Sequence, residues 1–186
     1  MDRSTRQATI WATVVALPIA VLVLLFLFSR FAPADDPPAA SASPAAPTAQ
    51  STAPVEMAAP ALSARSATVC RALLSMLPDT VDGHAQRPVT AGPEQNAAYG
   101  DPPVTVACGV PPASYPLTDE VWSTAGVCWH LSKEASSGAA VWETVDREVA
   151  IKVTTPSVYD PQVAVAFAAP IASSVKRLAD PPSGCP

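Results

Sequence analysis

The sequence predicts an α+β protein. It comprises an N-terminal transmembrane helix, a disordered linker, and a small two-layer domain with an antiparallel sheet of about four strands and a helix at each end. Three observations lead there. An uncharged apolar run covers residues 10–28, a proline-, alanine- and serine-rich tract follows it, and all four cysteines lie beyond that tract. Within the last segment, apolar residues recur at helical spacing, then alternate, then return to helical spacing. The expected organisation is a cytoplasmic tail (1–9), a membrane span (10–28), a linker (29–61) and an extracytoplasmic disulfide-containing domain (62–186).

The span comes first. Nineteen helical residues rise about 28 Å, close to the ~30 Å hydrocarbon core of a bilayer. Thirteen of the nineteen are Ile, Leu, Val or Phe, each favouring insertion by roughly 0.3–0.6 kcal/mol near the bilayer centre. Pro18 removes one backbone donor, which membrane helices tolerate. Arg3 and Arg6 precede the run, whereas Arg30 and then Asp35 and Asp36 follow it. The positive-inside rule therefore puts the N-terminus in the cytoplasm and the body of the chain outside. The alternative is a signal peptide cleaved after Ala34, since Ala32-Pro33-Ala34 fits the small-residue pattern, but the run exceeds the ~7–15 residues of a cleavable segment. Both readings export the domain.

Seven prolines between Pro33 and Pro60, among small residues with little to bury, predict a disordered spacer with polyproline II character. Its reach is ~30 Å as a coil and ~90 Å fully extended. Ser41, Ser43, Thr48, Ser51 and Thr52 suit an O-glycosylated stalk, although an unmodified spacer is the simpler reading.

In the domain, Ser66 is the expected cap of a helix with apolar positions Val69, Cys70, Leu73, Leu74 and Leu77, stopped by Pro78. Asp82-Gly83 marks a turn. Val104, Val106 and Cys108 alternate with Thr105 and Ala107, as in a half-buried strand. Residues 126–131, 140–145 and 148–154 read as three further strands, with Val149, Ile151 and Val153 on one face and Lys152 on the other. Asp146-Arg147 falls at the hairpin between the last two. Asp160-Pro161 reads as a cap and first helical proline. The following stripe is Val163, Phe167, Ile171, Val175 and Leu178, with a kink at Pro170. Eight basic and twelve acidic residues from position 62 onward form no basic stripe, so nucleic-acid binding has no electrostatic support.

An ordered set of short motifs runs through this domain. It comprises Cys70-Arg71-Ala72-Leu73-Leu74 leading to Leu77-Pro78-Asp79, then Ala98-Tyr99-Gly100-Asp101-Pro102-Pro103 running into Cys108-Gly109-Val110. Gly126-Val127 with Trp129 follows, and then the Arg147 strand leading to Pro156 and Tyr159. The set resembles an actinobacterial family of single-pass membrane proteins known only as a domain of unknown function. The resemblance covers nearly all of residues 68–180. It implies location and fold unity and brings no catalytic residues.

Export to an oxidising compartment favours two disulfides over four free thiols, and four cysteines allow three pairings. The resemblance implies Cys70 with Cys108, which leaves Cys128 with Cys185. The first bridge would close a loop of about 39 residues, worth roughly 4 kcal/mol in the chain-entropy account.

Sharper chemistry is weakly supported. Cys108, Cys128, His84 and His130 lack paired knuckle spacing for zinc, and oxidation would consume the thiolates. Asp79, Asp82, Asp101 and Glu143 are the carboxylates that a glycosidase-like pair would draw on, but scattered carboxylates are usually solvated. No G-x-S-x-G elbow occurs. Trp122, Trp129 and Trp142 lie in or beside strands, where core packing is the commoner role than sugar binding. Trp129, His130, Arg147 and Tyr159 are the candidate surface or binding residues.

No cofactor or metal is expected. The expected partners are the bilayer through residues 10–28 and an envelope protein or cell-wall polymer. The leading expectation is a non-catalytic interaction module. The alternative is an envelope enzyme that acts on wall polymers through a carboxylate pair.

Overall fold

The computed structural model describes residues 22–26, 50–116 and 118–185. Residues 22–26 are helical, and the rest of the predicted span lies outside the described residues. No helix among the described residues is long and apolar enough to cross a membrane. One compact unit covers Ala49–Pro186.

Its sheet corrects the expectation. Eight antiparallel strands, not four, form one sheet in the order β1-β2-β3-β4-β8-β7-β6-β5. They are β1 (Thr80–Val81), β2 (His84–Arg87), β3 (Asn96–Tyr99), β4 (Val104–Val110), β5 (Val121–Thr124), β6 (Val127–Lys133), β7 (Ala140–Thr144) and β8 (Ala150–Thr155). The four expected strands are β4, β6, β7 and β8. The other four carry little local signal. β1 has two residues, β2 alternates no apolar side chains, and β3 is Asn-Ala-Ala-Tyr, buried at every position. Alanine and asparagine are poor strand formers, so β3 is a strand because its neighbours cover both faces.

The chain runs two four-stranded meanders, each from an outer edge inward, and they meet where β4 pairs with β8. Asp82 and Gly83 both have positive φ (49° and 77°) at the β1–β2 turn, a two-residue hairpin that an Asp-Gly pair favours. A bulge interrupts the β4–β8 register between Cys108 and Val110. Gly109 sits there at φ 79°, and a Cβ would lie 2.5 Å from Leu62 Cδ2.

One sheet face buries the core. Val104, Val106, Val127, Trp129, Ile151 and Val153 point into it with Tyr99 and Trp142. Helix α1 (Ala64–Leu74) covers it with Val69, Cys70 and Leu73. Its cap is Ser63 rather than Ser66, since Ser63 Oγ accepts from the Ser66 N–H at 3.1 Å. The C-terminal stripe forms a 3₁₀ segment (Pro161–Phe167) and then helix α2 (Ala168–Ser174). Asp160 Oδ1 accepts from the Gln162 N–H at 2.8 Å, as expected of a cap. Val163, Phe167, Ile171 and Val175 are buried, whereas Leu178 is exposed. The helix ends at Ser174, and the chain then turns extended. Pro170 falls in the first turn of α2, where its missing N–H costs least.

Residues 50–61, assigned by composition to the disordered linker, lie against the first meander as an extended strap. Val55 bridges Val89 in parallel, with Val55 N–H donating to Pro88 O and Thr90 N–H to Val55 O. Buried Arg87 donates to Ala53 O at 2.7 Å, Ser51 Oγ at 3.2 Å and Gly100 O at 2.8 Å. Asn96 Nδ2 reaches Ala58 O at 2.9 Å, and Gln95 Nε2 reaches Pro60 O at 3.2 Å. Side chains far along the chain thus satisfy the strap's carbonyls. No local periodicity in the strap encodes this.

Candidate functional site

The second sheet face is open, and its register builds a transverse polar row. Asn96, Ala107, Lys152, Glu143, His130 and Val121 are successive cross-strand partners on β3, β4, β8, β7, β6 and β5. A neighbouring row contains Ala98, Thr105, Thr154 and Val141. The period-two alternation that buries Ile151 and Val153 presents Lys152 and Thr154 here.

Where the strap crosses this face it leaves a cleft of about 380 Å³. Glu56, Met57, Ala58 and Pro60 form the strap wall, Gln95 and Asn96 one end, and Thr105, Ala107, Lys152 and Thr154 the floor. The volume falls in the range of small-molecule sites. Lys152 and Glu56 give it one cation and one carboxylate, with two threonine hydroxyls between strands. None of the residues that line it is hydrogen-bonded to another as nucleophile to base.

The sequence-selected residues do not converge. Trp129 is a core residue, fully buried with its ring edge-on to Trp142 at 6.1 Å. Its expected surface role is therefore corrected. Arg147 is also buried. It lies 3.3 Å from Asp146 Oδ1 and donates to Val175 O and Gly126 O. Asp146, 1 % exposed, also accepts from Cys128 N–H and pairs with Arg177 at 3.4 Å. This cluster clamps the β7–β8 loop to residues 175–178, where Glu148 N–H donates to Lys176 O and Leu178 N–H to Asp146 O. It is a structural lock.

His130 is buried beneath Tyr115, whose ring stacks on it at 4.4 Å and 12°. Its Nε2 lies 3.0 Å from Asp119 Oδ2, and Nδ1 is buried without a partner. A carboxylate partner calls for the proton on Nε2, which leaves Nδ1 an orphan acceptor. Burial pushes the Tyr115 phenol upward. Tyr159 is half-buried against His84, ring centroids 4.5 Å apart. Tyr99, hydrogen-bonded to Pro78 O, is pushed up to about 12 by burial and then by Asp79.

The cysteines pair as Cys70–Cys108 and Cys128–Cys185, with Cα separations of 5.6 and 5.9 Å. The set once weighed for zinc therefore has no thiolates to offer. The two bridges staple opposite faces. Cys108 sits on the helix face beside α1, while Cys128 shares the open face with His130 and holds the C-terminal tail. The four carboxylates weighed for a glycosidase pair are dispersed. Asp79 and Asp82 flank β1, Asp101 is on the β3–β4 turn and Glu143 is on β7.

Sequence reasoning missed Glu56, Gln95, Asn96, Thr105, Thr154 and Arg87. Only the alternation of β4 and β8 signalled the threonines, and nothing local signalled the strap.

These features define a class: a disulfide-stapled antiparallel sheet domain, helices on one face and a strap-bounded cleft on the other. The chain belongs to the DUF3515 family of proteins of unknown function, whose model matches residues 13–179. No curated protein and no solved structure matches it.

Proposed function

We propose that this protein is a non-catalytic binding module of an actinobacterial cell envelope, held at the membrane by residues 10–28 with residues 62–186 outside the cytoplasm. The observation that carries the reading is the strap cleft. It is a preformed seat with Glu56 in the strap wall, Lys152 on the floor and no activated nucleophile. Three features support the location. The run 10–28 is uncharged with basic residues on its N-terminal side. The family model's match, residues 13–179, takes in most of that run. Two disulfides suit an oxidising compartment. The ligand is a wall polymer or the segment of an envelope protein, bound through the threonine floor and the Lys152 ammonium.

Photo-crosslinking in cells from a probe at Thr105, followed by mass spectrometry, tests it. The expected result is one envelope partner or wall fragment, lost in Lys152→Ala. Hydrolysis of wall fragments by the purified chain, with no crosslinked partner, would reverse it in favour of an enzyme. Alkaline extraction tests the tether, since release of a chain that starts at Asp35 would show cleavage.

A further inference from the structure

The two ends of the sheet are finished differently. At one end β1 has only two residues, and the strap is fastened over neighbouring β2 by Arg87. At the other end β5 pairs with β6 alone, through Val121–His130, Trp122–Trp129, Ser123–Cys128 and Thr124–Val127. Its outer edge, Val-Trp-Ser-Thr, contains no charge and no proline. Proteins normally blunt such edges with lysine, proline or a bulge, because a bare edge templates another strand.

Three further observations point to an occupant. Trp122 is 54 % exposed, while Trp129 and Trp142 on the same face are buried. A groove of about 360 Å³ runs beside the strand, lined by Asp119, Glu120, Val121, Trp122, Ser183 and Gly184. Its tail wall is held by the Cys128–Cys185 bridge and sits so close that a Cβ on Gly184 would lie 2.9 Å from Val121 Cγ2. The charge is one-sided. No lysine or arginine occurs in residues 110–131 or from Leu178 onward, while Asp119, Glu120 and Asp180 are acidic.

We propose that β5 is a strand-addition site for a basic extended segment of another protein. The segment's main chain pairs antiparallel with residues 121–124. An apolar or cationic side chain lies on the Trp122 indole, and a lysine or arginine sits beside Asp119 and Glu120. A second copy of this chain fits less well, because it would bring the same carboxylates to the same edge. The site is separate from the strap cleft and does not depend on a ligand there.

Fluorescence anisotropy of a labelled eight-residue alternating Lys-Val peptide, titrated with the full chain in nanodiscs, tests the proposal. An alternating Glu-Val peptide serves as the control. The expected result is saturable binding of the basic peptide alone, weakened at least about tenfold by Trp122→Ala and severalfold by Glu120→Gln or by raising the salt. Circular dichroism establishes that both variants keep the fold. Equal binding of the acidic peptide, no binding of either up to millimolar concentration, or an unchanged affinity in Trp122→Ala would overturn it. So would a dimer in sedimentation that Trp122→Ala dissociates, since a second copy would then own the edge. None of these readouts involves Lys152 or Thr105, so failure here leaves the cleft reading intact, and the reverse.

Discussion

The two meanders share one topology and differ in what covers them. In the first (β1–β4), the strap lies on one side and α1 with the 3₁₀ segment on the other, so β3 is buried at all four positions. Gln50 even extends its hydrogen bonding, exchanging bonds with Ala85 N–H and C=O at 3.0 and 3.2 Å. In the second (β5–β8), the outer strand is half-buried at its two ends and exposed at its centre. There Tyr115 and the stapled tail lie against the open face. Equal strand pairing thus yields a closed half, to which residues 50–61 are fastened, and an open half whose outer strand is partly exposed. Strand addition at the edge belongs to the open half because β5 pairs with β6 alone and is twice as long as the two-residue β1 at the opposite edge.

The largest expected effect breaks the lock of the open half. Asp146→Ala leaves Arg147 buried and uncompensated, and should cost about 3–5 kcal/mol in denaturant unfolding. A loss under about 1 kcal/mol would mean the clamp does not hold the second meander.

The disulfides probe the halves in parallel. Cys70→Ala with Cys108→Ala should cost roughly 4 kcal/mol. The second bridge closes a longer separation, 57 residues against 38, which adds only about 0.4 kcal/mol in the same account. Its removal should therefore cost about as much, while also opening the groove beside β5. A neutral second removal would show that the tail bridge does not contribute to stability.

Next comes the strap. Arg87→Ala strands the carbonyls of Ala53 and Gly100 and should cost about 2 kcal/mol. Limited proteolysis should then cut within residues 50–58, while cleavage near β5 stays as in wild type. Tyr99 sharpens the closed half in another way. Its proton is held more tightly folded than unfolded, so its contribution is complete below about pH 10 and lost as pH rises through about 12. The unfolding midpoint should fall across that window in wild type and lose this component in Tyr99→Phe. Smallest, Ala125 at φ 47° is strained in the β5–β6 turn. Ala125→Gly should raise stability by up to about 1 kcal/mol without altering the first meander.

Much of the closed half was illegible because its strands are made by their neighbours. Three of the four residues in Asn-Ala-Ala-Tyr are poor strand formers, and a proline- and alanine-rich strap looks the same whether solvated or docked. The Asp82-Gly83 pair announced its turn, and the fuller inference of a hairpin was available from it. In the open half, β7 and β8 were readable because buried and half-buried positions alternate along them. β5 escaped because four half-exposed residues do not establish a period. Trp129 and Arg147 misled for a shared reason: aromatic and cationic side chains look functional in sequence, and only packing shows that one fills the core and the other neutralises Asp146.

By itself, the sequence determined the apolar run, the turn at Asp82-Gly83, four amphipathic strands and the Asp160 cap, because each depends on residues within a few positions of one another. It also supplied four cysteines, whose partners lie 38 and 57 residues apart. The tertiary structure decided that eight strands form one sheet, that the strap closes one half, and that β5 ends the other bare. Those outcomes rest on hydrogen bonds and burial between segments distant in the chain, which no local pattern records.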